Sequence, residues 1–197
     1  MPKFSECSPK EIDALLKTEA VHQGALLKTA PLQTLDISDI EPLGAIGVLD
    51  QVTDPHNVGA VLRSAAAFGI QALVMTHRNS PPLSGALAKT ASGGLERVPI
   101  ALVANLAQAL RLLQSKGFTI IGFDGEAAEQ LETSFLRQPR ASNQDGVALV
   151  FGAEEKGLRR LTLEHCDHVC RIAVSDKFAS LNVSNAAAIA FHHFRQV

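Results

Sequence analysis

The last quarter of the chain, residues 149–194, constrains the fold more than any other stretch. Two apolar runs, 147–151 and 169–174, each stop at a polar loop rich in glycine or hydroxyl side chains. Short runs that are apolar throughout are typical of strands buried on both faces of a parallel sheet. Open α/β sheets bind ligands beside the carboxyl ends of such strands. The sequence therefore predicts an α/β domain with a ligand crevice at these two loops.

Strand-like and helical segments alternate over the rest of the chain from Gly44 onward. This alternation predicts a mostly parallel sheet with helices on both faces. The predicted strands are 46–49, 72–75, 100–103, 118–123 and the two runs above, and the predicted helices are 57–68, 84–92, 106–116 and an Ala-rich helix opened by 180–184.

The first 44 residues are predicted to be separate from this domain. Ser8, Pro9 and Glu11 are typical of the capped start of a short helix, and residues 25–27 could form a short strand. A region this short can hardly fold alone. We therefore expect an N-terminal extension, 1–44, followed by an α/β domain, 45–197.

Composition limits the classes of partner and compartment. The formal net charge is −2, so any RNA site must depend on local basic clusters, because Lys and Arg supply most of the affinity for phosphate. Two such clusters are Lys156 with Arg159 and Arg160, and Arg137 with Arg140. Three cysteines do not make a disulfide framework, no apolar run approaches a membrane span, and the N-terminus lacks a signal-peptide core. We expect a cytoplasmic protein.

The sequence gives little support for a metal site or for binding of a nucleotide or dinucleotide. Cys166, His168 and Cys170 would share one face of a strand, with His165 on the other, but no second pair of ligands occurs elsewhere. No metal site is therefore expected. The chain also lacks a Walker A sequence and a Gly-x-Gly-x-x-Gly segment after a strand, which argues against nucleotide hydrolysis and dinucleotide binding.

The predicted helix 57–68 separates packing from chemistry. Asn57 suits its N-cap, and Arg63 points away from the apolar stripe at 100° per residue, so Arg63 is free to face a ligand or solvent. The stripe consists of Val58, Leu62, Ala65 and Phe68.

Three segments together resemble a known family. They are Asp-Pro-His-Asn-Val-Gly-Ala at 54–60 with Arg63, Phe-Gly-Ala-Glu at 151–154 with Gly157, and Ser-Leu-Asn-Val-Ser-Asn-Ala at 180–186. In this order they resemble the three motifs of the SpoU (TrmH-type) branch of the SPOUT RNA 2′-O-ribose methyltransferases. Residues 22–24 and 92–96 look like segments of the members that methylate guanosine in ribosomal RNA.

The resemblance implies a C-terminal trefoil knot, S-adenosylmethionine bound in the knot, and a homodimer. It also implies methyl transfer to a ribose 2′-hydroxyl, with a guanosine of 23S ribosomal RNA as the expected acceptor. Transfer RNA is the alternative substrate, and a non-catalytic knotted protein of ribosome assembly is the alternative class. A metabolic α/β enzyme is a third hypothesis, favoured by the lack of basic charge. Residues 1–44 would be the tail of an RNA-binding domain.

The resemblance also implies roles for individual residues. The implied catalytic or substrate-orienting residues are Asn57, Arg63, Glu154, Ser180 and Asn182, and the implied cofactor-binding residues are Thr76, His77, Gly152, Ile172 and Leu181. A guanidinium almost never loses its proton, so Arg63 is not expected to act as the general base. We expect it instead to bind an RNA phosphate and stabilise the developing alkoxide, while Glu154 and Asn182 hold the Arg63 side chain in place. Glu155 and Ala173 depart from the glycine and proline usual in the family.

Overall fold

The computed structural model describes residues 4–16, 22–131, 146–154, 156–175 and 180–195. Arg137, Arg140 and Glu155, singled out above, lie outside these ranges. The chain divides into two compact units, Met1–Gln33 and Thr34–Val197. Residues 34–44 thus belong to the second unit, and the origin of residues 1–44 in an RNA-binding domain stays a prediction.

The first unit contains helix α1 (Pro9–Leu16). Its start is the predicted reciprocal cap: the Ser8 N–H donates to Glu11 Oε2 at 2.6 Å, and the Glu11 N–H donates to Ser8 Oγ at 3.4 Å. The strand predicted at residues 25–27 is wrong, because this segment pairs with no strand that the structure describes. An apolar tripeptide without a hydrogen-bonding neighbour has nothing to hold it extended.

The second unit is an α/β domain whose predicted alternation of strands and helices is confirmed. The strands are β1 (Ala45–Asp50), β2 (Leu73–Thr76), β3 (Ile100–Val103), β4 (Phe118–Phe123), β5 (Glu129–Gln130), β6 (Gly146–Gly152) and β7 (His168–Arg171). The helices are α2 (Pro55–Ala67), α3 (Gly85–Ala91), α4 (Leu106–Ser115), α5 (Arg160–Leu163) and α6 (Val183–Phe194), with a 3-10 turn at Ile37–Asp39.

These strands form one seven-stranded sheet in the order β3-β2-β1-β6-β4-β7-β5, and every described pair is parallel. Strand β6 lies between β1 and β4, with Leu149 opposite both Gly47 and Ile121. The carboxyl ends of β6, β4 and β7 are therefore neighbours at one edge of the sheet.

Alternate residues of the central strands face two separate apolar cores. On β1, Leu49 packs in a core with Leu62 of α2 and Phe191 of α6, whereas Val48 packs in a core with Leu110 of α4. All five side chains are fully buried. Because successive strand residues point to opposite faces, helices cover both faces of the sheet, as the sequence predicts.

The start of α2 differs from the prediction that Asn57 is its N-cap. The cap is Asp54, whose Oδ1 accepts the His56 N–H at 2.8 Å, and Pro55 is the first helical residue. Proline suits this position because its missing N–H would have had no partner there. Asn57 consequently lies in the first turn, and its side-chain amide is available for a tertiary contact.

Candidate functional site

A cavity of about 460 Å³ lies at the carboxyl ends of β4, β6 and β7, where the strand-end rule places a ligand. We call it the first cavity. Its walls come from the loop after β4, the loop after β6, and the segment that opens α6. The lining residues include Phe123, Asp124, Gly125, Glu126, Phe151, Gly152, Glu154, Lys156, Gly157, Ile172, Ser180, Leu181 and Val183.

The loop after β6 closes tightly on the end of its own strand. The Gly157 N–H donates to the Ala153 carbonyl at 2.8 Å, and Gly157 has a φ of +59°. A Cβ on Gly152 would lie 2.1 Å from the Gly157 carbonyl carbon, which no real contact allows. Glycine at residue 152 is therefore required for this loop to return over the strand, and the loop forms a wall of main chain.

Aromatic rings form the base of the first cavity. Phe123 and Phe151, at the ends of adjacent strands, stack with ring centroids 4.9 Å apart, and Phe191 of α6 meets Phe151 edge-on at 5.6 Å. Phe151 is almost fully buried. The base is thus apolar, while the rim carries the charged side chains of Glu154 and Lys156.

A hydrogen-bond network joins Asn57, Glu154 and Asn182 at this rim. Asn57 Nδ2 donates to Glu154 Oε1 at 3.0 Å, Asn182 Nδ2 donates to Asn57 Oδ1 at 3.0 Å, and Asn182 also donates to Glu154. Asn182 Oδ1 in turn accepts the Ser184 N–H at 2.8 Å as the N-cap of α6. The network ties α2, the loop after β6 and α6 together. Three of the five predicted catalytic residues therefore lie in contact.

Arg63 lies apart from this network. It is exposed on α2, about 9 Å along the helix axis and about 120° around it from Asn57 at the geometry of an α-helix. It makes no hydrogen bond or ion pair with the residues that the structure describes. Within one chain, Glu154 and Asn182 do not hold Arg63 as expected, since both side chains bond to Asn57 instead.

The predicted cofactor residues fall into two groups. Gly152, Ile172 and Leu181 line the first cavity, as does Ser180. Thr76 and His77 do not. Thr76 ends β2 and His77 follows it, and β1 separates β2 from β6. The Thr76 hydroxyl donates to the Arg78 carbonyl, and His77 borders a different cavity of about 470 Å³. Sequence motifs identify strand ends but not which of them are neighbours.

The loop after β4 is a part of the site that the motifs miss. Asp124, Gly125 and Glu126 line the first cavity, and Asp124 Oδ1 accepts the Glu126 N–H at 2.9 Å. A signal was present in the sequence, since this polar segment directly follows the apolar run 118–123. Only the order of the strands, which places β4 beside β6, brings this segment to the site.

Asp50 is a second residue that the motifs miss. Its fully buried carboxylate, at the end of β1, accepts hydrogen bonds from Arg159 Nε at 2.7 Å, the Arg159 N–H at 3.1 Å and Thr162 Oγ1 at 2.7 Å. A buried carboxylate needs such partners, because desolvation of an unpaired charge is costly. Asp50 thus anchors α5, and the loop after β6 that leads into it, against the centre of the sheet.

The remaining polar groups of the domain do not suggest other chemistry. Burial raises the pKa of the Cys166 thiol to about 12 and that of the Cys170 thiol to about 11, so neither is a nucleophile at neutral pH. Within the described ranges, no group of three or more His, Cys, Asp or Glu side chains is placed to hold a metal ion. None of the helices described is long and apolar enough to cross a membrane.

Comparisons with known proteins show the family of this chain. The profile of the SpoU rRNA Methylase family matches residues 45–192. The 23S rRNA (guanosine-2′-O-)-methyltransferase RlmB of Photorhabdus laumondii is 43% identical over 176 residues, which cover 86% of this chain and 69% of that protein. RlmB of Pseudomonas syringae pv. tomato is 40% identical over 203 aligned positions, covering 98% and 77%.

The fold has a close structural counterpart. The crystal structure of an AdoMet-bound rRNA methyltransferase from Sinorhizobium meliloti superimposes with a TM-score of 0.76, at 21% identity, over 93% of this chain and 68% of that one. The matched profile spans the whole α/β sheet and all three sequence motifs. The resemblance inferred from those motifs is confirmed, and the chain belongs to the SpoU rRNA methylase family.

Proposed function

We propose that this protein transfers a methyl group from S-adenosylmethionine to the ribose 2′-hydroxyl of a guanosine in 23S ribosomal RNA. The observation that carries the proposal is its similarity to two proteins named for this reaction, at 43% and 40% identity over most of both chains. The enzyme class predicted from the motifs, an S-adenosylmethionine-dependent RNA methyltransferase, is confirmed by the family match.

The first cavity suits the cofactor. Its volume of about 460 Å³ lies within the roughly 300–1,000 Å³ of small-molecule sites. Apolar side chains of Ile172 and Leu181 can contact an adenine ring, and the main chain around Gly152 offers polar groups that no side chain obscures. When bound, S-adenosylmethionine supplies an activated methyl group on a positively charged sulfur.

The network of Asn57, Glu154 and Asn182 would position the reacting groups. Glu154 lines both the first cavity and a second cavity beside it, so the network stands between a cofactor and a nucleoside placed on its other side. Holding two reactants in line is a large part of catalysis for an already activated methyl group. Ser180, exposed at the mouth of the first cavity, would contact the cofactor or the acceptor ribose.

Arg63 would act on the RNA. It carries five N–H donors and no acceptor, so it can bind a phosphate through two hydrogen bonds or stabilise a developing alkoxide. For the same reason it cannot accept the proton of the ribose hydroxyl. Its exposed position and its lack of a partner among the described residues support contact with a bound macromolecule.

We also propose the trefoil knot, the homodimer and the cytoplasmic location that the family resemblance implies. The match to the SpoU family over residues 45–192 supports the knot. Ile189, 42% exposed on the mostly apolar helix α6, supports an apolar contact with a second copy. The free thiols of Cys7, Cys166 and Cys170 suit a reducing compartment.

The proposal is tested by two measurements on the same protein. Calorimetric titration with S-adenosylmethionine should give about one site per chain, and incubation with 23S RNA that lacks the modification should then add a methyl group to one guanosine ribose. Cofactor binding with methylation of transfer RNA alone would support the alternative substrate. If the folded protein showed no cofactor binding and no methyl transfer, the proposal would be contradicted.

A further inference from the structure

We propose that the second cavity holds the base of the acceptor guanosine, and that the side-chain amides of Gln51 and Asn79 select it. This inference rests on the proposed function and names the specificity residues of the same site. The residues of this cavity used below are Gln51, Asp54, Asn57, Asn79 and Glu154.

The second cavity is placed for an acceptor nucleoside. Its volume is about 330 Å³, and four of its lining residues also line the first cavity. Glu154, bonded to Asn57, forms part of the shared wall. A base in the second cavity would therefore place its ribose at this wall, beside a cofactor in the first cavity, as direct methyl transfer requires.

Gln51 adopts a conformation that its residue type disfavours. It follows β1 directly and has a φ of +60°, in the left-handed region that glycine occupies freely and other residues occupy at a cost. The preceding residue, Asp50, is fixed by its bonds to Arg159 and Thr162. The backbone thus turns sharply at Gln51 beside the cavity, and local strain of this kind is concentrated at functional sites.

Asn79 presents a second amide to the same cavity from the turn after β2. Its φ is +59°, so two of the three non-glycine residues with positive φ in the described ranges line this one cavity. The Thr76 hydroxyl, bonded to the Arg78 carbonyl, braces the turn. Neither the Gln51 nor the Asn79 amide has a hydrogen-bond partner among the residues that the structure describes, so both are available to a ligand.

The chemistry of these groups favours guanine over adenine. A carboxamide alone does not discriminate, because it can pair with O6 and N1–H of guanine or, turned over, with N1 and N6–H of adenine. Selectivity arises when an amide N–H donates to O6 and a carboxylate accepts the neighbouring N–H groups of the same base edge. The Asp54 carboxylate lines the same cavity, and its Oδ1 is held by the His56 N–H. A carboxylate only accepts hydrogen bonds, so beside the N1–H and N2–H groups of guanine it is satisfied, whereas at the same place adenine presents N1, which is itself an acceptor, and a C–H.

The test uses glycine substitutions, because glycine tolerates positive φ and so removes the side chain without straining the backbone. Gln51→Gly and Asn79→Gly should keep the wild-type affinity for S-adenosylmethionine and melt at or above the wild-type temperature. Gln108→Ala is the matched control, since it removes the same amide from the separate cavity beside His77, and it should behave as wild type.

The measured quantity is the ratio of kcat/KM for RNA with guanosine at the methylated position to that for the same RNA with adenosine there. We expect this ratio to fall about tenfold in each glycine variant, as loss of one neutral hydrogen bond predicts. Equal losses on both RNAs would indicate a purely structural role, and unchanged ratios would show that the base binds elsewhere; either result overturns the inference while the proposed function stands. Absence of transfer by the wild-type protein to any RNA would overturn both.

Discussion

Asn57 Nδ2 lies 3.0 Å from Glu154 Oε1, although 97 positions separate the two residues in the chain. This bond joins the first turn of α2 to the loop after β6. Asn182, the N-cap of α6, donates to both side chains. The three sequence motifs therefore meet in one network, and that contact explains why the motifs occur together.

Asn182 both caps α6 and donates hydrogen bonds to Asn57 and Glu154, and substitutions can separate these two roles. Asn182→Ser keeps an oxygen that can cap α6 but loses the side-chain N–H bonds to Asn57 and Glu154. We expect the stability of this variant to stay near wild type, while Asn182→Ala loses about 1 kcal/mol of unfolding free energy. Methyl transfer should fall in both. Thermal melting and transfer rates measure the two effects, and a fully active Asn182→Ser variant would show that the network has no role in transfer.

Gly152 should tolerate no side chain. Gly152→Ala would place a Cβ 2.1 Å from the Gly157 main chain, so the loop after β6 must move, at a cost of about 3 kcal/mol. We expect a lower melting temperature and a large loss of affinity for S-adenosylmethionine. The matched control is Gly85→Ala, where no atom lies within 4 Å of the added Cβ and helix propensity improves. Wild-type cofactor affinity in Gly152→Ala would contradict the assignment of the first cavity.

Arg63→Ala should separate methyl transfer from cofactor binding. Arg63 is exposed and lines neither cavity, so titration with S-adenosylmethionine should give nearly the wild-type affinity. Transfer to RNA should fall about 100-fold or more, as when a charged donor that stabilises a transition state is removed. Arg63→Lys, which keeps the charge but not the two-pronged geometry, should recover only part of the rate. A large loss of cofactor affinity in Arg63→Ala would mean that this residue is misplaced.

The sequence predicts the bounds of the strands and helices better than it predicts which strands are neighbours in the sheet. Strand β4 (Phe118–Phe123) and strand β3 (Ile100–Val103) match their predicted bounds, because each is a buried apolar run. The strand predicted at 169–174 ends instead at Arg171, since its partner strand β5 ends at the residue paired with it, Gln130.

The same limit applies to the site. Asn57, Glu154 and Asn182 could be selected from motifs, because each stands at a fixed place in a recognisable segment. The motifs imply Thr76 for the cofactor site and omit Asp124, because both lie at strand ends and only the order of the strands in the sheet distinguishes them. In the sequence, Asp50 is only the polar residue that ends an apolar run. Its hydrogen bonds to Arg159 and Thr162 are visible only in the tertiary structure.

The three cysteines should differ in reactivity towards thiol reagents. Burial raises the pKa of Cys166 to about 12 and that of Cys170 to about 11, so at pH 8 both remain protonated in the folded protein. Cys7 is exposed and should react first. Labelling with a disulfide reagent at pH 8, followed by peptide mapping, should modify Cys7 alone until denaturant is added. Rapid labelling of Cys170 in the folded protein would contradict its burial.

The central claim is that the methyl group goes to a ribose oxygen of a guanosine, and a single change in the RNA tests it most directly. Once the methylated guanosine in 23S RNA is mapped, an RNA fragment with 2′-deoxyguanosine at that position should bind the protein but accept no methyl group from labelled S-adenosylmethionine. The matching ribose fragment should be methylated and become resistant to alkaline cleavage at that position. Continued methylation of the deoxy fragment would place the methyl group on the base and contradict the account.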